Sequence, residues 1–118
     1  LLNFVDGGFT PPAEGGWSDV VDPATGEVYA TAPLSTAPDV DAAFAAAARA
    51  FGQWRRTTPG ERMEKLLAMA DAVEAGAERL VEAEARNTGK PRGLTASEEI
   101  PPMVDQIRFF AGAARMLE

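Results

Sequence analysis

The sequence predicts an α+β fold, with short strands over residues 1–33 and helices over 34–118. Three observations carry that reading. Turn residues divide the first third into short β-rich runs. From about residue 37 the apolar period becomes three to four, the mark of a helix facing a core. The strand-forming stretch comes first and the helices follow it.

Asn3-Phe4-Val5 runs into Asp6-Gly7, a dipeptide that accepts positive φ at both central positions of a type I′ turn. Phe9 belongs on the return strand, which Pro11-Pro12 ends. Trp17 to Val21 reads as a second run, closed by the Asp22-Pro23-Ala24-Thr25-Gly26 turn. Glu27 to Ala32 reads as the strand after it, with Val28 and Ala30 alternating against Glu27 and Tyr29.

Val40, Phe44, Ala47, Phe51 and Trp54 form one apolar stripe on a first helix, weakened near its end by Gly52. Arg55-Arg56 would place cations at its negative end. Thr58-Pro59-Gly60-Glu61 starts a second helix, with capping-box spacing and proline at the first helical position. Met63, Leu66, Leu67, Ala70 and Val73 make its buried face, Gly76 kinks or splits it, and Ala77, Leu80 and Val81 continue the stripe. Asn87-Thr88-Gly89 stops it, with glycine suited to the left-handed position and Pro91 following. A third helical region runs from Thr95, capped by Thr95 with Glu98 or by Ser97. Pro101-Pro102 must bend or restart it, and Met103, Ile107, Phe110, Ala114 and Leu117 share one face. It reaches Glu118 without a stop signal, so the chain is expected to be a fragment.

Composition narrows the chemistry. Over 118 residues, 46% are apolar and 25% charged, as in ordinary globular domains. The net charge of −7 disfavours nucleic acid. No run is long and apolar enough for a membrane span, and Leu1 to Asp6 shows no signal-peptide pattern, so the cytoplasm is the expected compartment. With no Cys and no His, the chain can host neither a thiolate nucleophile nor a Ser-His-Asp triad.

Five stretches in order resemble the aldehyde dehydrogenase superfamily. They are Asn3-Phe4-Val5-Asp6-Gly7, Asp22 to Glu27, Asp39-Val40-Asp41-Ala42-Ala43 with Phe51 and Trp54, Glu61-Arg62, and Asn87-Thr88-Gly89-Lys90-Pro91. The segment Glu98 to Gly112 is similar to the γ-aminobutyraldehyde dehydrogenase branch, near the betaine-aldehyde enzymes. The resemblance implies a parent that oxidises a small aldehyde such as 4-aminobutanal with NAD(P). A cysteine thiolate would form the thiohemiacetal, and hydride transfer and hydrolysis would follow. The parent is expected to be a homo-oligomer, dimer or tetramer. This chain would be part of the cofactor domain, paired with the rest of the enzyme. NAD is the parent's expected cofactor; no G-x-G-x-x-G is present, so the chain alone is expected to bind none.

Glu98, Glu99 and Asp105 are candidate substrate-tunnel residues, since the resemblance places them near the tunnel mouth and carboxylates attract an aminoaldehyde's ammonium. Glu98 and Glu99 could equally complement a helix N-terminus. Pro102 stands where related enzymes carry a substrate-contacting acid or methionine. Val20, Val21 and Asn87 match a monovalent-cation site of the family, and Asn87 could equally end a helix. The aromatics read as core or interface. Two rival readings remain: a betaine-aldehyde or general aliphatic aldehyde dehydrogenase, and a free-standing α+β interaction domain. In the family the helix stripes pack on a parallel sheet that lies beyond residue 118. Val40, Phe44, Phe51, Leu66, Val73, Ile107 and Phe110 are therefore expected to be exposed here.

Overall fold

The computed structural model describes residues 1–116. It shows α+β architecture, strands first and helices after, in two compact units, Leu1–Arg56 and Thr57–Glu118.

In the first unit, β1 (Asn3–Val5) and β2 (Gly8–Thr10) form an antiparallel hairpin in the register Phe4↔Phe9. Asp6 and Gly7 have φ of 54° and 80°, the positive pair that the expected turn requires. The Phe4 and Phe9 rings meet edge to face with centroids 5.2 Å apart. β3 (Trp17–Val21) pairs antiparallel with β4 (Val28–Pro33), with an irregularity between Val20 and Val21. The Asp22 carboxylate accepts the Ala24 N–H at 2.8 Å, and the Asp22 carbonyl accepts the Gly26 N–H at 2.8 Å. Glu27 therefore stays in the turn, and β4 starts one residue later than expected. Val28 is exposed, while Tyr29 and Ala30 are half-buried, so the expected alternation is not followed at the head of the strand. Gly15 takes φ of 97° where a Cβ would come 2.5 Å from the Leu34 carbonyl oxygen. Only glycine lets the Gly16 carbonyl accept the Leu34 N–H at 2.9 Å.

Helix α1 (Ala37–Trp54) begins where the Asp39 carboxylate accepts the Thr36 N–H at 2.8 Å and the Ala13 N–H at 2.7 Å. These two amides hold the Asp39 carboxyl below its ordinary value. Arg55 caps the other end through its backbone N–H, which donates to the Phe51 carbonyl at 2.9 Å. Ala46 is the buried residue of this helix. Val40, Phe44, Phe51 and Trp54 are exposed, Phe44 by 74%. The helix is therefore amphipathic in sequence, with its large apolar side chains bare.

The second unit is helical. In α2 (Pro59–Ala75), Glu61 accepts the Thr58 N–H at 2.7 Å and donates its own N–H to the Thr58 hydroxyl at 3.2 Å. The expected capping box is thus formed, and the Thr58 amide and hydroxyl lower the Glu61 pKa. Gly76 separates α2 from α3 (Ala77–Thr88), at a position where a Cβ would lie 3.1 Å from the Ala72 carbonyl oxygen. Gly89, at φ of 73°, ends α3 in the left-handed conformation.

A short α4 (Arg92–Leu94) leads into a π-helical turn, Thr95–Glu99, and then α5 (Ile100–Ala114). This corrects the expected cap. Thr95 does not start the helix but lies buried inside the turn, and the Ser97 hydroxyl donates to the Gly93 carbonyl at 2.9 Å. The prolines do restart the helix. α2 packs along α5, and Ala70, Val81, Ile100 and Val104 form the core, with Val73, Ala77 and Ile107 against it. The buried face of α5 is therefore Ile100, Val104, Ile107 and Ala111. It lies about one residue round from the expected face, on which Met103 and Phe110 are exposed. Leu117 lies outside the described residues. Of the side chains expected bare, Leu66, Val73 and Ile107 are half-buried, because α2, α3 and α5 cover one another.

Candidate functional site

The acidic segment is built by a local conflict in the backbone. Pro101 and Pro102 have no N–H, so the carbonyls one turn before them lose their usual helical donors. The Ile100 N–H donates to the Thr95 carbonyl, one residue further back than in an α-helix. Glu98 lies inside that turn and Glu99 at its end, directly before α5, whose own first turn carries no acidic residue.

Glu99 is engaged. The Lys90 ammonium donates to Glu99 Oε1 at 2.6 Å and lies 3.2 Å from Glu84 Oε1. The Glu99 contact first, then Glu84, raises the Lys90 pKa above its usual value. Lys90 is set by its neighbours: Gly89 turns the chain, and the Lys90 N–H donates to the Thr88 hydroxyl at 3.2 Å. That hydroxyl donates in turn to the Glu84 carbonyl at 2.8 Å. Glu98 and Asp105 are exposed, Glu98 in the π turn and Asp105 in the second turn of α5. Neither joins a salt bridge among the described residues.

Sequence reasoning singled out Glu99 but missed its partners Lys90 and Glu84. No periodic rule could pair Glu84 with Lys90, since a left-handed glycine lies between them. The stop signal at Gly89 was the available hint, because it fixes where the next side chain begins.

Val20 and Val21 flank the irregularity in β3, opposite Ala30 and Val28. Asn87 lies in the last turn of α3 and is exposed, with Gly89 taking the cap position. The two valines belong to the first unit and Asn87 to the second. Among the described residues, no group of three or more His, Cys, Asp or Glu side chains could hold a metal ion. No helix among them is long and apolar enough to cross a membrane.

Residues 9–118 match the model of the aldehyde dehydrogenase family. The chain is 40% identical over 116 residues to an aldehyde dehydrogenase of Deinococcus radiodurans, covering 98% of this chain and 22% of that one. It is 39% identical over 114 residues to human 2-aminomuconic semialdehyde dehydrogenase, covering 97% of this chain and 23% of that one. PnpE from Pseudomonas sp. WBC-3 superposes with a TM-score of 0.93 at 36% identity, over all of this chain and 25% of that one. PnpE has also been solved in complex with nicotinamide adenine dinucleotide. The chain belongs to the aldehyde dehydrogenase family. It spans about a quarter of the length of the relatives it matches.

Proposed function

We propose that this chain is the N-terminal part of an NAD(P)-dependent aldehyde dehydrogenase that oxidises a small aldehyde, 4-aminobutanal first among candidates, to its carboxylic acid. The observation that carries the class is the match of an α+β chain, nearly end to end, to one region of much longer dehydrogenases. NAD supplies the hydride acceptor when bound. PnpE's complex with that dinucleotide supports NAD as the parent's cofactor. The residues of this chain provide no thiol, so the nucleophile belongs to the remainder of the parent. We assign the parent to the cytoplasm and to a homo-oligomer, in line with the resemblance.

Within the parent, the segment from Glu98 to Asp105 is the part of this chain with a bearing on substrate charge. Glu98 and Asp105 are exposed carboxylates that would attract an ammonium by long-range field. A second reading, an uncharged aliphatic aldehyde, is favoured by Glu99 being taken up by Lys90. Names among the relatives, which include an Acinetobacter long-chain-aldehyde dehydrogenase at 36% identity, also favour it.

Initial rates of NADH formation by the full-length protein with 4-aminobutanal, betaine aldehyde and an uncharged aldehyde of similar length decide between the readings. A kcat/KM for 4-aminobutanal at least tenfold above the uncharged aldehyde supports the first, since tenfold is about 1.4 kcal/mol of differential binding. Equal values support the second. No NADH with any aldehyde overturns both.

A further inference from the structure

We propose that Lys90 is the positioning residue of the π turn, holding Thr95–Glu99 in its unusual register by tying Glu99 to Glu84. The turn carries a cost of its own. Thr95 is buried, with 3% of its surface exposed, and its hydroxyl has no hydrogen-bond partner among the described residues. A buried hydroxyl left unpaired is a cost that a relaxed helix would avoid. The competing state is an ordinary α turn, in which the Ile100 N–H would bond the Ala96 carbonyl instead of Thr95. Pro101 and Pro102 disfavour that α turn, because neither has an amide proton and their rings would crowd the Ser97 and Glu98 carbonyls, and the Lys90 contact adds to their effect.

The tie comes from outside the turn. The Lys90 ammonium sits 2.6 Å from Glu99 at the end of the turn and 3.2 Å from Glu84 on α3. All three side chains are only about one-third exposed, so the attraction is less screened than on an open surface. The Lys90 backbone is itself fixed by left-handed Gly89 and by the Thr88 hydroxyl. A slip of one residue would swing Glu98 and Glu99 by about 100° around the helix axis, which the ammonium at Glu99 opposes. Lysine therefore acts through Glu99 on the direction in which the whole acidic pair is presented. This rests on the proposed dehydrogenase only for its consequence on substrate, not for the device itself.

The test uses the full-length protein. Deuterium uptake is followed in a peptide covering residues 94–100, whose amides exchange as the turn opens and so report how firmly it is held. Lys90→Met and Glu99→Gln should each speed uptake there roughly fivefold or more, with uptake in α2 around Ala70 unchanged. Lys90→Arg, which keeps a cation able to reach both acids, should restore most of the protection. In the same variants, KM for 4-aminobutanal should shift while kcat stays within about twofold. Unchanged uptake in both Lys90→Met and Glu99→Gln would overturn the proposal, as would a failure of Lys90→Arg to rescue. A fully active parent with unchanged uptake sinks the positioning role alone, and altered uptake in a parent inactive on every aldehyde sinks the proposed reaction alone.

Discussion

Arg108 on α5 donates to Glu74 on α2 at 2.7 Å and, through the same nitrogen, to Asp71 one turn earlier at 2.9 Å. The two acids are three residues apart, so one face of α2 presents both to a single guanidinium. Glu74 first, then Asp71, raises the Arg108 pKa above its ordinary value. The pair links the helices whose apolar faces make the core of the second unit, at a point where all three side chains remain largely wet.

Such a bridge should stabilise modestly and only at low salt. Arg108→Met in the full-length protein is expected to lower Tm by about 1–3 °C in dilute buffer. At molar salt, where the screening length falls to roughly 3 Å, the difference should vanish. An undiminished difference at high salt would mean that the stem of Arg108, and not its charge, makes the contribution.

Two helix starts depend on carboxylates whose folded pKa is depressed: Asp39 below 3.8 and Glu61 below 4.5. Because the unfolded chain binds protons more readily, their contribution is present above those ordinary values. It is lost as pH falls through the lower folded values. Tm measured from neutral pH downward should therefore drop more steeply below about pH 4 in the parent than in an Asp39→Asn, Glu61→Gln double variant. Parallel curves would remove both groups from the acid sensitivity.

The Thr58 hydroxyl and Glu61 complete each other's orphan donors, so Thr58→Ala should cost about 1 kcal/mol and Thr58→Ser much less. Chemical denaturation of the full-length protein, with the slope unchanged, would measure it. Equal losses for both variants would show that the methyl group, and not the oxygen, matters.

The 118-residue chain on its own should form no NADH with any aldehyde, since it has no thiol. It should also self-associate or bind a hydrophobic dye. Phe44 and Phe51 in the first unit, and Phe109 and Phe110 in the second, are each more than half exposed, so each unit carries bare aromatic surface. A monodisperse monomer by light scattering, with a cooperative melt and no dye binding, would show that these faces need no cover.

Local chemistry was legible in the residues themselves. Asp6-Gly7, Thr58 with Glu61, Gly76 and Gly89 each act within a few residues, where allowed φ and nearby donors leave few choices. The class of fold followed from the order of periods. The buried face of α5 was not legible, because its apolar arc is wide enough to offer two candidate faces, and only packing against α2 selected Ile100 and Val104 over Met103 and Phe110. Glu99 could be seen as a candidate, but its partnership with Lys90 could not. Contacts of that kind are set by how a left-handed turn at Gly89 and an irregular turn before Pro101 bring two backbones together, and no spacing in the sequence encodes that distance.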